Sequence, residues 1–183
     1  MIITCVKCSK KFNLDDNLIP EEGMPIPEAV KILMPVAEAL DYIHKKGIVH
    51  RDLKPDNIFL ARNDEGRIRV KLLDFGLARE VDKSGPTQTG TTFGTPEYMS
   101  PEQAISARKV RSPGDIWSMG VILYELLSGC HPFSGETPNA IMANAIKEKL
   151  PSLTKRAPHV PKKLARFVER CLAKDPTKRP QNA

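Results

Sequence analysis

His50-Arg51-Asp52-Leu53-Lys54-Pro55-Asp56-Asn57 is the stretch on which the reading of this chain turns. It sets a carboxylate, an ammonium and a side-chain amide close together in a segment punctuated by proline. Phosphoryl transfer asks for such a set: a group to orient a hydroxyl, a cation beside the moving phosphate, and oxygen donors for a hard metal ion. Two further motifs follow downstream. Asp74-Phe75-Gly76 comes after a short apolar run, and Gly94-Thr95-Pro96-Glu97-Tyr98-Met99-Ser100-Pro101-Glu102 comes after that. Three motifs in this order make an ordinary polar loop a poor account of the first.

Working outward, the residues before the loop read as a helix. Ala29, Val30, Ile32, Leu33, Val36, Ala37, Leu40 and Ile43 recur at helical spacing. Pro27 suits a first turn and Gly47 an end. Pro35 lies inside the run and is expected to kink the helix or delay its start. After the loop, Ile58-Phe59-Leu60 and Ile68 to Leu73 read as two strands joined by a turn at Asn63-Asp64-Glu65-Gly66. Folding this hairpin brings Asn57 and Asp74 together. Val81 to Thr92 is polar and rich in Ser, Thr, Gly and Pro, which predicts a loop. Ile116 to Leu127 predicts a buried helix stopped by Gly129, with amphipathic helices over Asn139–Glu148 and Pro161–Ala173. Trp117 reads as core, and His44 and His131 as surface residues.

From about Ile26 to the last residue, the chain resembles the C-terminal lobe of a eukaryotic-type Ser/Thr protein kinase, of the sort also found in bacteria. The resemblance implies a mainly α (α+β) fold: a helical bundle with a small β-hairpin at the cleft and no N-terminal lobe. It implies ATP and Mg2+ as cofactors and a protein substrate. By it, Asp52 would orient the substrate hydroxyl and Lys54 would stand near the transferred phosphate. Asn57 and Asp74 would hold magnesium, and Phe59 would lie beneath the adenine. Thr95 would hydrogen-bond to Asp52 and Lys54. Arg51 would pair with a phosphate on the downstream loop, where Thr87, Thr89, Thr91 and Thr92 are the acceptors. Asp115 would hydrogen-bond the catalytic-loop backbone, Glu102 and Arg179 would form a buried ion pair, and His50 would pack under Phe75.

Residues 1–24 read as a separate segment, with residues 25–183 as the kinase-like unit, truncated at both ends. Cys5-Val6-Lys7-Cys8 resembles the first half of a short bacterial zinc-ribbon finger. A closed zinc site wants four ligands. Met24-Pro25-Ile26-Pro27 stands where the second cysteine pair belongs, and Cys130 and Cys171 fall in predicted helices. Zinc bound by Cys5 and Cys8 within one chain is therefore not expected.

A length of 183 residues suits one domain with a real core. Lys and Arg number 28 against 22 Asp and Glu, a net charge of +6 spread along the chain. That pattern describes a solvated surface better than a nucleic-acid site. No apolar run is long enough to span a bilayer, and the first residues lack the order of a signal peptide. The reading is cytoplasmic, with reduced cysteines. The chain contains no G-x-G-x-x-G loop and no Val-Ala-Ile-Lys-like strand, parts on which kinases rely to hold ATP phosphates. Feeble phosphotransfer or none is expected of these residues alone. A scaffold role, or a partner chain covering the face left open, is the alternative.

Overall fold

A computed structural model describes residues 19–62, 68–73, 79–80, 95–106 and 110–183. Its centre is a helix, α3 (Ser112–Ser128), in which every residue from Gly114 to Ser128 is buried. A helix apolar on all sides needs neighbours on all sides. Here they are α1 (Ile26–His44), α5 (Leu153–Arg156) and α6 (Lys162–Cys171), which pack around it. Gly129 closes α3 in the left-handed region, at φ 66°, with its N–H bonded to the Glu125 carbonyl at 2.8 Å. Cys130 lies beyond this cap rather than in a helix, whereas Cys171 ends α6 and is buried.

Helix α1 runs unbroken through Pro35. Its packing explains why: Ala29, Leu33, Val36 and Leu40 bury one stripe on either side of the proline. The segment before it is also packed. The Met24 N–H donates to the Leu126 carbonyl at 2.7 Å, and Met24 belongs to the core. Gly23 has φ 80°, and a Cβ there would stand 2.2 Å from the Leu127 carbonyl oxygen, so only glycine fits. Packing thus begins before the break expected at Pro25, with Ile19 also resting on the core.

Two small antiparallel ladders flank the loop of interest. Strand β1 (Ile48–Val49) pairs with β4 (Arg79–Glu80), and β2 (Ile58–Arg62) pairs with β3 (Ile68–Leu72) in the register Ile58 with Leu72 and Leu60 with Val70. The remaining helices are α2 (Pro101–Ile105), capped by the Ser100 hydroxyl, and α4 (Pro138–Lys147), capped by Thr137. Trp117 is fully buried and stacks on Phe133 with ring centroids 5.9 Å apart.

Candidate active site

The segment from His50 to Asn57 crosses from β1 to β2. It has little regular structure of its own, so its backbone needs partners from elsewhere. Asp115, in the first turn of α3 and 1% exposed, supplies the largest share. Its carboxylate accepts the His50 N–H at 2.8 Å and the Arg51 N–H at 2.9 Å. His44 Nε2 donates to the same carboxylate at 2.8 Å. The other side of the Arg51 residue is held too, by Gln103 of α2, whose Nε2 donates to the Arg51 carbonyl at 2.7 Å. These anchors hold an unusual backbone. Arg51 has φ 69°, in the left-handed region, as does no other non-glycine among the described residues. Such a conformation costs on the order of 1–3 kcal/mol and persists where surroundings over-determine it.

Beyond Arg51 the loop presents its polar set. Asn57 Nδ2 donates to the Asp52 carbonyl at 2.7 Å and reaches the Asp52 carboxylate at 3.5 Å. Lys54 Nζ lies 3.9 Å from Asp52 Oδ2. Asp52 and Lys54 are half-buried and Asn57 is buried, so their charges and dipoles act partly screened from water. The Asn57 bonds use its amide nitrogen; the amide oxygen is the atom a hard cation would take. His50, fully buried, serves the loop through one tautomer. Its Nε2–H donates to the Leu73 carbonyl at 3.2 Å, and its Nδ1 accepts the Asp52 N–H at 3.4 Å.

The hairpin delivers its far end to the same place. The Leu73 N–H donates to the Asn57 carbonyl at 2.8 Å. The next residue in the chain is Asp74, which lies outside the described residues, as do Phe75, Thr87, Thr89, Thr91, Thr92, Cys5 and Cys8. Among the described residues no three His, Cys, Asp or Glu side chains are grouped to hold a metal ion. Phe59 is buried on β2.

Beside the loop opens a cleft of about 420 Å³, lined in part by Pro55, Asp56, Thr95, Tyr98, Glu125 and His131. No hydrogen bond joins Thr95 to Asp52 or Lys54 among the described residues. The Thr95 carbonyl accepts the Tyr98 N–H at 3.0 Å and opens a 3-10 turn, Pro96–Tyr98. Tyr98 holds this wall in place: its hydroxyl donates to Glu125 at 2.8 Å, and its carbonyl accepts from the Ser118 hydroxyl at 2.8 Å. From Glu102 onward the wall is anchored from below. Arg179, with its side chain fully buried, sends two parallel N–H bonds to Glu102 at 2.7 and 2.8 Å.

Sequence reasoning misplaced two histidines and missed one glutamine. His44 is no surface residue; its side chain is 8% exposed and bonds Asp115. The signal was present, since His44 continues the buried Val36 and Leu40 positions at i+4 spacing. His131 is half-buried, edge-on to Tyr98 with ring centroids 5.1 Å apart. Gln103 carried no signal of its own; it is simply the residue after Glu102.

A family model described as the protein kinase domain matches residues 1–183. The chain belongs to the protein kinase family. Over 166 residues, 87% of the chain, it is 45% identical to the serine/threonine-protein kinase pkn2 of Myxococcus xanthus, covering 20% of that protein. It is 39% identical to a probable serine/threonine-protein kinase PknB of Lactococcus lactis over 81% of the chain and 23% of the relative. A third, the serine/threonine-protein kinase PknB of Mycolicibacterium smegmatis, is 38% identical over 91% of the chain and 26% of the relative. This kinase chain thus spans about a fifth to a quarter of the length of these bacterial Ser/Thr kinases. No helix among its described residues is long and apolar enough to cross a membrane.

Proposed function

We propose that these residues form the catalytic-loop half of a bacterial-type Ser/Thr protein kinase, the C-terminal lobe, which transfers the γ-phosphate of ATP to protein Ser or Thr hydroxyls. The observation that carries this reading is the Asp52, Lys54 and Asn57 cluster on a loop whose strained backbone is pinned from two helices. Asp52 orients the substrate hydroxyl and takes its proton. Lys54 neutralises charge on the transferred phosphoryl group. Asn57 and Asp74 are the ligands for magnesium, whose chemistry is to spread charge over the phosphate oxygens. The tie between Asn57 and Leu73 supports that pairing, since Asp74 follows directly. Phe59 supports the adenine, and Thr95 faces the substrate side of the cleft. Arg51 reads a phosphate on Thr87, Thr89, Thr91 or Thr92. The protein works in the cytoplasm on protein substrates, without nucleic acid.

The 183 residues contain no G-x-G-x-x-G loop and no Val-Ala-Ile-Lys-like strand, so their own phosphotransfer is feeble or nil. Those parts must come from further polypeptide, in the same chain or a partner that covers the open face. The same absence favours a second reading, a kinase-like docking scaffold without catalysis. Cys5 and Cys8 would bind zinc only with two ligands from elsewhere.

A thermal melt with and without Mg·ATP separates the two. A ligand that binds only the folded state raises the midpoint by mass action. The kinase reading expects a rise that Asp74→Ala abolishes. No rise at millimolar nucleotide would leave the scaffold reading in possession. Phosphorylation of a protein substrate by these 183 residues, lost in Asp52→Asn, would show that they need no further parts.

A further inference from the structure

We infer that Gln103 is a positioning residue for the catalytic loop, tying the peptide that carries Asp52 to α2. The inference rests on the reading of Asp52 as the phosphotransfer residue. Its geometry stands independently of that reading.

The Arg51 carbonyl belongs to the peptide linking Arg51 to Asp52. Its acceptor bond from Gln103 Nε2, at 2.7 Å, therefore fixes the plane from which the Asp52 side chain departs. The partner is a carbonyl oxygen, so the amide nitrogen must face it; the side chain has only one useful orientation. The opposite face of Arg51 is fixed by Asp115 through the Arg51 N–H at 2.9 Å. Arg51 sits at φ 69° between these clamps. Releasing one lets the backbone relax toward a commoner region, and the relaxation turns the 51–52 peptide. One bond is made by that peptide itself, from the Asp52 N–H to His50 Nδ1 at 3.4 Å; the next peptide follows it, and its Asp52 carbonyl accepts from Asn57 Nδ2 at 2.7 Å.

Gln103 itself is held firmly. Its N–H caps on the Ser100 hydroxyl at 3.4 Å, and its neighbour Glu102 is locked into Arg179. Gln103 is 9% exposed. The glutamine thus joins two units that are remote in sequence: the anchored end of the Thr95-to-Glu102 wall and the loop bearing Asp52. A shift of α2 reaches the peptide before Asp52 through one side chain.

The test uses the 183-residue chain labelled with nitrogen-15, comparing the parent with Gln103→Leu, which keeps volume and removes the donor. The expected result is local. The Arg51 and Asp52 amide resonances move and exchange with solvent roughly tenfold faster, as loss of one hydrogen bond allows. Amides of α3, and those of α2 away from the substituted residue, stay close to the parent, while the midpoint falls modestly as one carbonyl loses its donor. Unmoved Arg51 and Asp52 amides would overturn the inference. So would a general disturbance of the α2 and α3 amides, which marks a mere strut. Should Gln103→Leu fail to fold, Gln103→Glu keeps the length and sets an acceptor against the Arg51 carbonyl, and the same two outcomes decide. In a preparation that turns over, Gln103→Leu lowers kcat roughly tenfold or more while KM for Mg·ATP holds, because misplacing Asp52 affects the chemical step. Equal changes in both constants would count against positioning. Absence of turnover in the parent would bear on the kinase reading alone, leaving the amide result to decide for Gln103.

Discussion

Asp115 concentrates three obligations in one carboxylate, since two backbone N–H groups of the loop and the His44 ring all donate to it. Removing it strands buried donors, and each unsatisfied group costs about 1–3 kcal/mol. Asp115→Ala is therefore expected to lose on the order of 3–5 kcal/mol in urea unfolding. Asp115→Asn, which keeps one oxygen, should lose less. A loss under ~1 kcal/mol for the alanine variant would mean that water or a shifted loop satisfies these donors. Lys174 gives a second test at this scale. Its ammonium donates to the Ala145 carbonyl and lies 4.0 Å over the Phe133 ring. Burial, reinforced by the nearby Arg179 charge, lowers its pKa to about 8 from an ordinary 10.5. The folded protein then gives up this proton near pH 8, while the unfolded chain keeps it until about 10.5, so between them the unfolded state binds more protons and stability rises with pH. Cys171 and Tyr124 work the other way at higher pH, because burial raises each to about 12 and the folded state holds their protons longer. The clean readout is the difference between parent and Lys174→Met over pH 8 to 9, which should grow in the parent's favour. A difference independent of pH would show Lys174 charged throughout.

At the scale of elements, α3 decides the fold. Its burial on all sides leaves no room at its closest contact, where Gly120 meets α6. A Cβ on Gly120 would stand 2.7 Å from the Cys171 Cβ and 3.3 Å from Leu172. Gly120→Ala gains helix propensity worth roughly 1 kcal/mol, yet overpacking a tight core costs typically 1–3 kcal/mol. The clash is expected to win, and the midpoint to fall by several degrees; an unchanged or higher midpoint would mean that α6 slides freely on α3. The helices were legible because their signals are local: a long apolar run with Gly129 behind it for α3, and a repeating stripe for α1. Pro35 misled because its local penalty is outweighed by core residues on both sides. The loop cluster was legible for the same reason, with Asp52, Lys54 and Asn57 falling within one short segment. The struts were not. Gln103 and His44 are ordinary polar residues whose partners lie 52 and 71 positions away, and no local pattern announces a contact of that range.

Across the whole molecule, the end of the chain is tied to the wall of the cleft. Arg179 spends every guanidinium donor inside the protein, on Glu102 and on the carbonyls of Ala173, Pro113 and Lys174. Lysine cannot reproduce that fork, so Arg179→Lys should behave as a loss rather than a conservative change. Removing either partner alone leaves the other in a dry site, at about 3–5 kcal/mol. Removing both removes the stranded charge as well, so a cycle of Glu102→Ala and Arg179→Met should be far from additive, the double variant recovering much of what the singles lose. Because Gln103 follows Glu102, the same cycle reports on function: each single variant should also loosen the Arg51 and Asp52 amides, which Gln103 joins to the Glu102–Arg179 pair. If the singles prove additive and those amides stay put, the chain end and the catalytic loop are independent, and the tie is one of stability alone.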